Sequence, residues 1–107
     1  MNPTAQQPKP PAFAREVASV IREVVPLAEV TLYGSRARGD ARSDSDWDVY
    51  VTVPERVTYG LRERLSEALV SLEIQRGELV QLILRSASAR PVRRGLYERI
   101  VAEGVPL

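Results

Sequence analysis

The chain has 107 residues, a net charge of +1, 44% apolar and 27% charged residues, a composition that describes one globular domain around a single modest core. It contains no Cys and no His, which excludes thiol and imidazole catalysis, disulfides and zinc held by its usual ligands. Any metal must then be held by oxygen, which favours Mg²⁺, Mn²⁺ or Ca²⁺. The balanced charge gives no field for nucleic acid or a membrane surface. No apolar run approaches the ~20 residues of a membrane span, and the N-terminus has no secretory core, so a cytoplasmic protein is expected.

Residues 1–11 are rich in Pro and Gln and read as a disordered tail, with the folded domain over 12–107. Phe13, Val17, Val20, Ile21 and Val24 recur at helical spacing, which predicts a first amphipathic helix stopped by Pro26. Glu29 to Tyr33 is a short strand ending at Gly34. Between Asp46 and Val53 the residues alternate. Asp46, Asp48, Tyr50 and Thr52 share one face of that strand; Trp47, Val49, Val51 and Val53 share the other. Val57 to Gln75 carries a helical stripe of Val57, Leu61, Leu65, Ala68, Leu69 and Leu72, with Gly77 as its C-cap. Leu79 to Leu84 is apolar on both faces except at Gln81 and reads as a central strand. Beyond a loop over Ser86 to Arg90, Pro91 opens a last helix, with Val92, Leu96, Ile100 and Val101 inward and Gly104 closing it. Val105 to Leu107 is a stub of edge strand. The expected architecture is α/β (α+β): a small mixed sheet with flanking helices.

All four aspartates fall in one window, at Asp40, Asp44, Asp46 and Asp48. Residues two apart on a strand face the same way, about 6–7 Å apart, so Asp46 and Asp48 converge on one side. Such a pair can hold one or two Mg²⁺ ions together with substrate phosphates. Ahead of it, Gly34 lets the backbone turn sharply and approach a phosphate closely. Ser35 offers a hydroxyl and an N–H at the start of a short helix, which Gly39 ends. Arg36 and Arg38 can neutralise phosphate charge or orient the loop.

Plainer readings compete with this one. Asp44, Asp46, Asp48 and Glu55 fit positions one, three, five and twelve of a calcium loop, but Val49 stands where that loop needs Gly. A solvated acidic turn would explain the aspartates without the Gly34-Ser35 turn at this spacing. Trp47 could stack a base, yet its strand face assigns it to the core.

Gly34-Ser35, about ten residues, then Asp46-Trp47-Asp48 closely resembles the motif of the polymerase-beta-like nucleotidyltransferases. The flanks Leu32-Tyr33 and Arg36 to Asp40 before, and Ser43 to Ser45 and Val49 after, extend the likeness. The segment Gly95 to Ile100, with Glu103-Gly104-Val105, is similar to the minimal nucleotidyltransferase (MNT) group, small proteins often encoded beside a HEPN-domain protein. The resemblance implies the nucleotidyltransferase fold and transfer of a nucleoside monophosphate, AMP above all, from ATP or another NTP to an acceptor hydroxyl. It implies a triphosphate bound by Gly34 and Ser35, metals bound by Asp46 and Asp48, and a HEPN toxin as partner in an oligomeric toxin–antitoxin complex. Many members carry a third carboxylate on a following strand. Glu78 is the expected candidate here, and Gln81 is the other occupant of that strand's polar positions. The competing expectation is a catalytically weak antitoxin that neutralises its partner by contact; a small-molecule nucleotidyltransferase ranks behind both.

Overall fold

The computed structural model describes residues 10–89 and 94–107. The expected tail lies almost wholly outside them, as do Pro91 and Val92 of the last expected helix. Helix α1 (Ala12–Val24) leads into β1 (Glu29–Tyr33), and the four-residue α2 (Ser35–Arg38) follows. Next come β2 (Trp47–Val53), α3 (Tyr59–Arg76), β3 (Val80–Ser86), α4 (Arg94–Glu103) and the two-residue β4 (Val105–Pro106). The strands form one sheet in the order β3-β2-β1-β4. β2 runs antiparallel to β1 and parallel to β3, and β4 lies antiparallel on the far side of β1.

Alternation sorts the two sheet faces. Val30 and Leu32 of β1, with Trp47, Val49, Val51 and Val53 of β2, are buried against α1 and α3. Phe13, Ala14, Val17, Ala18 and Ile21 supply the α1 stripe, and Leu61, Leu65, Leu69 and Leu72 the α3 stripe. Each fully buried Val, Leu or Ile is worth about 1.5–3 kcal/mol against exposure, so this two-layer core carries the fold. Glu16 on α1 and Arg76 on α3 clamp the helices from outside with paired bonds of 2.7 and 3.2 Å.

Helix α3 starts two residues later than its stripe suggests, because the Thr58 hydroxyl accepts from the Leu61 N–H at 3.1 Å and caps it. Gly77 ends it in the left-handed conformation as expected. β3 is an edge strand rather than a central one: among the described residues no strand lies beyond it. Its run of apolar residues reflects packing against the core on one side, with Leu79 ahead of it 62% exposed. On α4, Ile100 is buried but Val101 is 66% exposed. The 100° step per residue carries Val101 off the row that Ile100 shares with Leu96.

The chain's last residues close the sheet. Leu107 donates its N–H to the Val30 carbonyl at 2.8 Å, and Arg22 of α1 donates to the Leu107 carbonyl at 2.8 Å. No helix among the described residues is long and apolar enough to cross a membrane.

Candidate active site

The aspartate pair sits at the entrance of β2. Trp47 opens that strand, its N–H donating to the Leu79 carbonyl at 2.9 Å, and Asp46 lies one residue ahead. Asp48 pairs across the antiparallel ladder with Tyr33, the residue before Gly34. The strand therefore delivers the carboxylates directly beside the turn. Gly34 takes φ +75° and ψ −158°, a region that essentially only glycine occupies. A methyl group there would also collide with Oδ2 of Asp48. Sterics and backbone conformation both require glycine at this position, since the turn and the carboxylate share one small space.

Electrostatics mark the pair as well. Burial and the negative charge of Asp46 push the Asp48 carboxyl above the usual aspartate range, against a smaller opposing pull from Arg38. Burial and the Asp48 charge likewise raise the Tyr33 phenol, with Arg99 of α4 pulling it back. A partly buried Asp48 raised in this way, with a second carboxylate beside it, is a donor set suited to a hard divalent cation. Among the described residues no third acidic group joins them. Asp40 pairs with Arg38 at 3.1 Å and Asp44 with Arg42 at 3.5 Å, so both are local loop partners.

The structure sets Glu78 against Trp47 and Arg36. Its Oε2 accepts the Trp47 indole N–H at 3.0 Å and lies 3.6 Å from Arg36. It is Gln81, in register with Asp48 on parallel β3, that touches the pair, donating its amide to Asp46 Oδ2 at 3.0 Å. Glu78 precedes the strand in the turn after Gly77, where the indole N–H captures it.

Arg36 is occupied too. Its guanidinium lies 4.4 Å from the Trp47 ring centroid and donates to the carbonyls of Ser43 and Ser45 at 3.2 and 2.8 Å. Phe13 covers another side of that indole, with ring centroids 5.1 Å apart. Trp47 is thus a core residue, as its strand face predicts. It anchors Arg36, and Arg36 anchors the loop that leads to Asp46. Of the four proposed phosphate contacts, Gly34 and Ser35 lie at the turn, Arg36 is a loop organiser, and Arg38 stands at the rim between Asp40 and Glu103.

Two α4 residues within the segments that resemble the MNT group were given no part in the site from sequence. Glu103 accepts from the Gly34 N–H at 3.3 Å, and Arg99 acts on Tyr33. Their spacing of four residues puts both on one helix face, which does not reveal what that face meets.

Comparison with known proteins identifies the family. The family model described as "Nucleotidyltransferase domain" matches residues 14–102. The Haemophilus influenzae protein named "Probable protein adenylyltransferase MntA" is 29% identical over 82 residues, covering 76% of this chain and 72% of that protein. A solved structure assigned as a minimal nucleotidyltransferase is 32% identical with a TM-score of 0.63, covering 90% of each chain. The complex of a tri-AMPylated Shewanella oneidensis HEPN toxin with its MNT antitoxin matches at a TM-score of 0.56 and 16% identity, covering 88% of this chain and 67% of that one, which shows the fold alone. With its turn, its carboxylate pair and strands β1, β2 and β3 all in the matched segment, the chain belongs to the nucleotidyltransferase domain family.

Proposed function

We propose that the protein is a Mg²⁺-dependent adenylyltransferase that moves AMP from ATP onto a hydroxyl of a HEPN-domain partner protein in the cytoplasm, as the antitoxin of a toxin–antitoxin pair. One observation carries the reading: Gly34 is pressed against Asp48, so a phosphate-sized anion on the turn would lie beside both carboxylates. The partner and the nucleotide rest on likeness to proteins described as an adenylyltransferase and as an MNT antitoxin bound to an AMPylated HEPN toxin.

In this reading the Gly34-Ser35 backbone and the Ser35 hydroxyl hold the β- and γ-phosphates. Asp46 and Asp48 would hold the divalent cations, whose chemistry is to neutralise charge on the phosphates. The acceptor hydroxyl oxygen forms a bond to the α-phosphorus and gives up its proton to water, the bond to the bridging oxygen breaks, and pyrophosphate leaves. β2 fixes the carboxylates by its ladders on both sides, and Arg36 fixes the loop that brings Asp46 to them.

A second reading has its own observation. Position 81 carries an amide, which neither binds Mg²⁺ strongly nor takes a proton. A nucleotide-binding antitoxin with weak catalysis, acting by contact, is compatible with that. Incubation with labelled ATP, Mg²⁺ and the HEPN protein separates the two. The enzyme reading expects label on the partner, and none with the Asp46→Asn/Asp48→Asn double variant. If the double variant neutralises the partner as well as the parent protein does, the contact reading holds.

A further inference from the structure

Glu103 stands on the turn that the nucleotide would use. A single oxygen, Oε1, accepts from the Gly34 N–H at 3.3 Å and from Arg38 at 3.1 Å. Its position is set by the fold. A Cβ on Gly104 would run into the Ile100 carbonyl and the Thr31 side chain, so only glycine lets the end of α4 lie this close to β1. That close approach carries the preceding carboxylate over the Gly34 amide. The carboxylate is largely shielded, with 23% of its side chain exposed, whereas Arg38 is 43% exposed.

We infer that Glu103 is a built-in competitor for the triphosphate: in the empty protein its carboxylate occupies the Gly34 amide and holds Arg38, and bound nucleotide must displace it. The inference rests on the nucleotidyltransferase reading above. A carboxylate and a phosphate are like charges, and both cannot share one amide and one guanidinium without repulsion. Displacing Glu103 frees Arg38 to turn to the phosphate. Nucleotide occupancy is thereby coupled to the last turn of α4, and through Gly104 to the strand beneath it.

The test is equilibrium binding of a non-cleavable ATP analogue with Mg²⁺ to the full chain, comparing parent, Glu103→Gln and Glu103→Ala. Both variants should bind the analogue roughly five- to tenfold tighter, the size of a modest coupling between sites. The gain should shrink as salt rises, because it is electrostatic; a purely structural role would move thermal stability without that salt dependence. Glu103→Gln keeps the side-chain shape, so it carries the test if the alanine variant fails to fold. Equal or weaker binding by a folded Glu103→Gln protein overturns the inference and leaves the proposed function standing. If neither parent nor variants bind the analogue, the nucleotidyltransferase reading fails and takes the inference with it.

Discussion

Gln81 donates its side-chain amide to Oδ2 of Asp46 at 3.0 Å, from the β3 position in register with Asp48. An amide thus stands next to the two carboxylates at the point from which a third acidic side chain would reach a shared cation. Replacing it with Glu adds a ligand and a negative charge. Gln81→Glu should tighten Mn²⁺ binding by about tenfold, since affinity follows the charge count of oxygen ligands, and should lower the thermal midpoint of the metal-free protein. Titration with Mn²⁺ and a melt without metal check both. Unaltered Mn²⁺ affinity would mean that the side chain at 81 points away from the cation.

Acidity gives an independent handle. Asp48 is raised above its usual range by burial and by Asp46, so the folded state holds this proton more tightly than the unfolded chain does. Its contribution to stability is therefore most favourable at low pH and falls as pH rises through the unfolded and then the folded pKa. Protons and Mg²⁺ compete for the same oxygens. The stabilisation that Mg²⁺ gives should be full at neutral pH and fade on acidification sooner than it would with an ordinary aspartate. Asp48→Asn should abolish that Mg²⁺ effect and raise metal-free stability by about 0.5 kcal/mol, a small value because the carboxylate remains partly open to solvent. Melting curves across pH, with and without Mg²⁺, read both; a metal-free Asp48→Asn protein less stable than its parent at neutral pH would contradict the repulsion.

Glu78 and Trp47 should behave as framework. Glu78→Gln keeps an acceptor for the indole N–H and loses only the charge facing Arg36. AMP transfer should stay within several-fold of the parent, with stability lower by about 1 kcal/mol. Trp47→Ala removes the ring between Phe13 and Arg36 and should cost about 3–5 kcal/mol. Steady-state transfer and chemical denaturation distinguish these outcomes. A hundredfold loss of turnover in a stable Glu78→Gln protein would return that carboxylate to the chemistry.

Gly34→Ala meets two obstacles together, a backbone conformation that only glycine readily takes and a clash with Asp48. A loss of about 1–3 kcal/mol in stability is expected, with nucleotide affinity falling in parallel. Gly39 also has positive φ, but nothing crowds its would-be Cβ. Gly39→Ala should keep most of the nucleotide affinity, and that contrast measured by analogue binding isolates the part played by close approach.

The sequence made the element order and the turn–aspartate constellation readable, because each is a local pattern: alternation in β2, helical stripes in α1 and α3, glycine at Gly34 and Gly77. The edge position of β3 was not readable, since apolar content reports burial and strand order depends on distant pairing. The placement of Glu78 was not readable because strand phase begins only at Val80; before it, one tertiary hydrogen bond from Trp47 decides where the carboxylate lies. The contact between Glu103 and Gly34 spans 69 positions along the chain, and no short-range pattern encodes a separation of that length.

Strand β2 is laced to a neighbour along both of its edges, whereas the 39–46 loop is held to the rest of the protein by side-chain contacts from Arg36, Arg38 and Gln81 and one backbone bond from Asp40 to Ser35. One half of the site is a ruler and the other a hinge. On warming, the spacing along β2 should persist while the approach to Asp46 loosens, and amide exchange should be slow over Val49 to Val53 and fast over the loop. The carboxylate pair should therefore lose its geometry from the Asp46 side first, while Asp48 keeps its place against Gly34.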